Sequence, residues 1–169
     1  TESAEARVRE FALGRSDAPS VAIGTMTSGV DGFRQSHREA EGARRVARAG
    51  ARPEPTVISA EDQGLSHAAL LGADVADTRA WVAGVLGDLA TDTDNDSRLR
   101  ETLRVFLRCG SSYKQAADEL NLHFNPVKYR VGRAIARRGR EVAADRLDVE
   151  VALLVCHWYG DAVLRLTSL

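Results

Sequence analysis

Apolar and polar positions repeat with helical spacing in two adjacent segments of the second half of the chain. In the first segment the apolar residues recur at i, i+3, i+4 and i+7, which is one face of a helix; they are Tyr113, Ala116, Ala117 and Leu120. Asn121 follows, and asparagine tolerates a left-handed turn unusually well. Asn125 is a strong N-cap and Pro126 suits the first helical position, so a second helix is predicted to begin there. Two short helices joined by a tight turn are the helix-turn-helix arrangement, whose second helix enters the DNA major groove.

The second helix, predicted over about Asn125–Arg138, has one apolar and one polar face. At 100° per residue, one apolar stripe contains Val127, Val131, Ala134 and Ile135. The opposite face contains Tyr129, Gly132, Arg133 and Ala136. Its small residues would let a groove wall approach closely. A solvated basic face with no partner is the alternative interpretation.

The hairpin carries eight candidate DNA contacts, which are Lys114, Gln115, Asn125, Lys128, Tyr129, Arg130, Arg133 and Arg137. We expect Tyr129 and Arg133 to reach base edges, with Asn125 close to the groove. The remaining long cations flank this face, and phosphate contacts are expected from Lys114, Lys128 and Arg137. His123, in the turn, has two interpretations: it contacts a phosphate or it bonds the turn backbone.

Elsewhere the pattern predicts a mainly helical chain with two short strands. Apolar runs bounded by proline or glycine predict strands over 20–24 and 56–59. Helical spacing and end signals predict helices over 1–13, 32–49, 74–89, 99–109 and 149–158, and a short helix or turn over 65–71. Pro53 and Pro55 mark a loop. Because two strands make a poor sheet alone, we expect further strands upstream of Thr1 or from another chain.

Several burial predictions follow from the same spacing. Residues expected to face a core include Phe33, Ala40, Ala43, Val46, Ala47, Val75, Trp81, Val82, Val85, Leu86 and Leu89. The core of the DNA-binding unit should contain Leu103, Phe106, Leu120, Val131 and Ile135. The segment 149–158 is apolar nearly all round. It is either central to its own core, against Trp81 and the preceding helices, or shared with a second subunit.

Charge is spread unevenly over these 169 residues. Residues 98–146 hold 12 Lys and Arg against 5 Asp and Glu, a net charge of +7, while the rest carries −8. A basic module in a near-neutral chain is typical of a nucleic-acid-binding unit. The polar, turn-forming run 91–97 is the clearest linker. We therefore predict an α/β region over 1–90, a linker over 91–97 and a DNA-binding domain over 98–169.

Other chemistry has little support in the sequence. Cys109 and Cys156 lie in apolar helical surroundings, which predicts reduced cysteines in a cytoplasmic protein, with a disulfide as the alternative. No His or Cys pair has metal-binding spacing, and Asp92, Asp94 and Asp96 alternate as in a calcium loop without its Gly and Glu. The chain contains no run of about 18 apolar residues, so no membrane span is predicted. We expect no enzyme activity, no cofactor and no metal.

The segment 101–130 resembles the C-terminal helix-turn-helix of the PucR/CdaR family of bacterial transcription regulators. The resemblance rests on Glu101-Thr102-Leu103 in one helix and on His123, Asn125, Tyr129 and Arg130 in the hairpin. The family usually has Thr after that Asn, where this chain has Pro126. Proline retains the helix start but removes a hydroxyl and an N–H that could reach a phosphate.

The resemblance continues upstream, into the degenerate GGDEF-like domain that precedes this helix-turn-helix. It rests on Ala22-Ile23-Gly24, on residues 29–36, on Glu39-Ala40 and on residues 86–89. No Gly-Gly-Asp-Glu-Phe signature occurs, so nothing supports nucleotide cyclase chemistry. Family members commonly carry a further N-terminal sensory region. The resemblance therefore implies that any small-molecule inducer binds outside this chain, which we expect to be a piece of a longer protein.

These observations predict an α+β fold, mainly α-helical, with a C-terminal helix-turn-helix bundle preceded by a small, truncated α/β GGDEF-like layer. The predicted function is sequence-specific binding of double-stranded DNA by a PucR/CdaR-type regulator in the cytoplasm. A homodimer is expected because one recognition helix touches only a few base pairs. The alternative is a non-catalytic protein-interaction or dimerisation module, and salt-dependent binding to duplex DNA separates the two.

Overall fold

The computed structural model describes residues 4–15, 17–51, 56–72 and 74–166, with the side chains of Ala4 and Leu13 excepted. Its helices are α1 (Ala4–Leu13), α2 (Gly29–Ala49), α3 (Leu65–Leu71), α4 (Val75–Leu86), α5 (Asp94–Arg108), α6 (Tyr113–Leu120), α7 (Phe124–Arg138) and α8 (Arg146–Tyr159). Its strands are β1 (Val21–Ile23) and β2 (Val57–Ser59). The predicted class, α+β and mainly helical, is confirmed. By its contacts the chain separates into two compact units, one ending at Asp74 and the other beginning at Val75.

The first unit is built on two parallel strands and the helix that connects them. Val21 pairs with Val57, Ala22 with Ile58 and Ile23 with Ser59. Helix α2 packs on both strands and α3 packs on α2. The buried residues of this unit include Ala43, Val46, Ile58, Leu65 and Ala68. The loop predicted at Pro53 and Pro55 lies outside the described residues.

The predicted burial of Phe33 is wrong, because this side chain is 73% exposed. Helix α2 begins at Gly29 and has 21 residues, a length of about 31 Å. The strands it covers have three residues each and span about 10 Å. The beginning of α2 therefore extends past the strands on which its later turns pack, and helical spacing alone does not show that.

The second unit has a core to which α4, α5, α7 and α8 contribute. Leu99, Thr102, Leu103, Phe106 and Leu107 are all buried on α5, which confirms the predicted burial of Leu103 and Phe106. Helix α4 packs on α8, and its buried face contains Thr78, Val82, Val85 and Leu86. Trp81, predicted to be inward, is exposed because it lies at the edge of that face.

Helix α8 lies within its own unit, packed on α4 and α5. Its buried residues are Val149, Ala152, Leu153, Val155, Cys156, Trp158 and Tyr159. Of the two interpretations of the apolar segment 149–158, a core helix is therefore the one that agrees with the structure. The apolar character that suggested a dimer interface is explained by burial inside one chain.

The polar run 91–97 is structured and belongs to the second unit. Thr93 is the N-cap of α5, because its Oγ1 accepts a hydrogen bond from the Asp96 N–H at 3.0 Å. Helix α5 therefore starts earlier than its apolar residues indicate. Asp92 and Arg165 are joined through their main chains, at 2.8 Å. The boundary between the two compact units lies between Asp74 and Val75, before this run. The domain limits 1–90, 91–97 and 98–169 stay a prediction.

Among the described residues, no helix is both long enough and apolar enough to cross a membrane.

Candidate nucleic-acid interface

The turn between α6 and α7 has the predicted geometry. Ser112 caps α6, accepting the Gln115 N–H on Oγ at 3.3 Å. Asn121 ends α6 in the left-handed region, with a φ of 51°. The Leu122 N–H donates to the Ala117 carbonyl at 2.9 Å, a bond that satisfies one of the last carbonyls of the helix. Local sequence signals are therefore enough to specify this turn.

Helix α7 begins slightly earlier than predicted. His123, not Asn125, occupies the N-cap position, and its side chain makes no capping bond. Pro126 lies in the first turn, directly before Val127, whose N–H donates to the His123 carbonyl at 3.5 Å. The first amides of a helix have no partner within it, so proline costs no hydrogen bond at this position.

The phase of α7 agrees with the prediction. Val127, Val131 and Ala134 are buried, whereas Lys128, Gly132, Arg133 and Ala136 are exposed. Tyr129 is 68% exposed. Apart from the adjoining residues and the nearby backbone of α7 itself, no atom lies within 4 Å of the place a Cβ would occupy on Gly132. The outer face of α7 is therefore open, and the residues in its middle, Gly132 and Ala136, are small.

Several cations of the hairpin have no internal partner. Within the part of the chain that the structure describes, the side chains of Lys114, Lys128, Arg130 and Arg133 show no hydrogen bond or ion pair. Other cations of the basic segment are neutralised nearby: Arg104 pairs with Glu101 at 2.7 Å, Arg108 with Glu119, and Arg146 with Glu150 at 2.7 Å. The unpaired positive charge therefore concentrates on α6 and α7.

Arg137 has a different environment from the other candidates. Its Nε and Nη2 donate to Oδ1 and Oδ2 of Asp96 at 2.9 and 3.0 Å, and the Asp96 side chain is 2% exposed. Burial opposes ionisation of this carboxyl, but the bonds from Arg137 and Thr93 outweigh it and hold its pKa below the ordinary value. The geometry ties α7 to the beginning of α5.

Two further arginines of the basic segment are buried and support the structure. Arg100 donates through Nη1 to the Leu89 and Thr91 carbonyls at 2.8 and 2.7 Å. Arg138 donates through Nε to the Val85 carbonyl at 2.9 Å. The net charge of +7 counted along residues 98–146 therefore overstates the charge available to DNA. Sequence reasoning missed this, because the acceptors are main-chain carbonyls that any sequence carries.

An aromatic contact at the start of α7 was also missed. Tyr113 stacks on Phe106, with ring centroids 4.5 Å apart and an angle of 28°. Phe124 meets Tyr113 in an edge-on arrangement, with ring centroids 5.7 Å apart. A single ring column thus joins α5, α6 and α7. Because the sequence placed the N-cap at Asn125, Phe124 was assigned to the turn and given no role.

Comparison with known families identifies the region that contains this interface. Residues 99–155, about a third of the chain, match the model of the PucR C-terminal helix-turn-helix domain. This segment is therefore similar to a PucR C-terminal helix-turn-helix domain. No curated protein and no solved structure matched the chain.

The PucR-type domain contains α6 and α7 entirely, together with α5 from Leu99 and α8 as far as Val155. All eight sequence-predicted contacts lie within it. The match suggests a DNA-binding transcription regulator. The upstream resemblance to a GGDEF-like domain lies wholly before the PucR match and stays a prediction.

Proposed function

We propose that the chain is a sequence-specific transcription regulator of the PucR/CdaR type that inserts α7 into the major groove of double-stranded DNA. The observation that carries the proposal is the outer face of α7. It combines unpaired cations, an exposed tyrosine and an open glycine on one rigid helix. A groove wall can approach such a face, while the buried stripe of α7 holds the helix on the domain. The alternative of a merely solvated basic face does not account for the PucR match.

The proposed contacts follow from position on the hairpin. Tyr129 and Arg133 lie on the outer face and would reach base edges, with Asn125 at the first turn. Lys114 and Lys128 would contact phosphates, flanked by Gln115 and Arg130. Arg137 is not carried into this proposal, because its guanidinium is engaged by Asp96.

We further infer that the chain acts as a non-catalytic homodimer in the bacterial cytoplasm, the compartment of its DNA. Regulators with this motif place two recognition helices on half-sites about 34 Å apart. Any inducer would bind outside this chain. Helix α8 is not proposed as the dimer surface, because its apolar side chains pack in its own unit.

Arg133→Ala is expected to weaken binding to the preferred duplex by roughly 1–3 kcal/mol and to relax its sequence preference. The reason is the loss of a base-edge donor without loss of a structural contact. Mobility shifts on the selected duplex and on a scrambled one measure both effects. Arg98→Ala is the matched control, since Arg98 is exposed on α5, outside the hairpin. Equal weakening on both duplexes would show that Arg133 contacts only phosphate, and no binding by the wild type would refute the proposed function.

Lys128→Ala should weaken binding to all duplexes alike, because it removes one cation that displaces counterions from the phosphates. The slope of log K against log salt is expected to fall by about 1. Titration at several salt concentrations with selected and scrambled duplexes measures the slope. A slope equal to that of the wild type would contradict the assignment of Lys128 to a phosphate.

A further inference from the structure

The Phe124 ring is held by a neighbouring ring, yet about half of the residue is exposed. It is 48% exposed, although its ring is held edge-on against Tyr113 at 5.7 Å. Tyr113 is in turn stacked on Phe106, which is buried. The ring column therefore runs from the core of the domain to its surface and ends at Phe124. Such a ring presents apolar area from a restricted position, so little conformational freedom is lost when it meets a partner.

Phe124 also lies where a recognition helix first meets DNA. It is the first residue of α7, directly after the N-cap His123. In helix-turn-helix proteins the N-terminal residues of the second helix contact the base edges. The neighbouring Asn125 and Lys128 are exposed and carry the polar groups of this end of the helix. Phe124 is thus an apolar group in a polar contact surface.

The chemistry of the groove restricts what this ring can recognise. A phenylalanine ring offers no conventional hydrogen bond to a base edge. Among the base edges of the major groove, the apolar group is the C5-methyl of thymine. We propose that Phe124 determines specificity by packing against the C5-methyl of one thymine in each half-site, at the base pair facing the start of α7. This inference rests on the proposed function and adds a position of sequence preference to it.

Removing the methyl group from DNA tests the contact without altering the protein. The full chain is used to select duplexes from a random-sequence library, and each thymine of the selected half-site is then replaced singly by deoxyuridine. Deoxyuridine retains the hydrogen-bonding edge of thymine and lacks only the methyl. One position is expected to lose about fourfold in affinity, the effect of removing one methyl from an apolar contact. Phe124→Ala should bind the thymine and deoxyuridine duplexes equally at that position.

Tyr129→Ala is the matched variant, because Tyr129 is also an exposed aromatic residue of α7. It should keep the sensitivity to the methyl that Phe124→Ala loses. Thermal unfolding of both variants shows whether the ring column is needed for folding. The deoxyuridine duplexes are also tested with the wild-type protein, and that measurement does not depend on the folding of either variant.

The outcomes separate this inference from the proposed function. Selection of a duplex with no methyl-sensitive thymine overturns the role of Phe124 and leaves DNA binding intact. Sensitivity that persists in Phe124→Ala, or that disappears in Tyr129→Ala instead, overturns it as well. Failure to select any duplex refutes the proposed function itself and the methyl contact with it.

Discussion

Replacing Arg138 by alanine is expected to destabilise the second unit by about 3–5 kcal/mol. This is the cost of removing one partner of a buried ion pair. The Arg138 side chain is 0% exposed and pairs with Asp145. It also donates through Nη1 to the Arg140 and Glu141 carbonyls at 3.2 and 2.9 Å, besides its bond to Val85. Alanine would leave the Arg140 and Glu141 carbonyls without this donor, while the Val85 carbonyl and Asp145 would keep only Arg140 Nη2, at 3.1 Å from each. Urea unfolding followed by far-UV circular dichroism measures the loss.

Arg140→Ala is the control for this prediction. Arg140 shares the Asp145 carboxylate at 3.1 Å, but half of its side chain is exposed. An exposed ion pair contributes about 0–1 kcal/mol, so this variant should stay close to the wild type. If the two variants lost equal stability, burial of Arg138 would not be the cause.

Asp96→Asn is expected to cost about 2–3 kcal/mol at neutral pH, because the amide cannot replace the charge that Arg137 binds. Asparagine has nearly the same volume, so the change isolates the charge. The pKa of Asp96 is held below its ordinary value in the folded protein. The stabilisation is therefore complete above the unfolded pKa of about 4 and disappears as the pH falls through the lower, folded value. Unfolding free energies measured from neutral pH downward should converge for the variant and the wild type.

Asp94→Asn gives the matched control, since Asp94 lies in the same first turn of α5 and is exposed. It should lose only about 0.3–1 kcal/mol, the contribution of a carboxylate near a helix N-terminus. A difference between Asp96→Asn and the wild type that does not change on acidification would contradict the ion-pair explanation.

The sequence alone was sufficient for the elements whose signals are local. The spacing of Val127, Val131 and Ala134 assigned the buried face of α7 and so its outer face, and the structure agrees. Asn121 marked the turn for the same reason, because its left-handed conformation depends on the residue itself. The helix-turn-helix is therefore readable without a structure: its periodicity and turn chemistry act over a few residues.

Only the tertiary structure decided which arginines are free. The sequence predicts that Arg133 and Arg137 both contact DNA, since both are cations on one helix. They differ because Asp96, 41 positions before Arg137, lies beside one of them and not the other. Arg138 is bound by a carbonyl 53 positions away. The burial of α8 and the exposure of Phe33 were decided in the same way, by what packs on each helix. Helical spacing reports the face of an element, whereas pairing and burial depend on neighbours that the fold brings from distant positions.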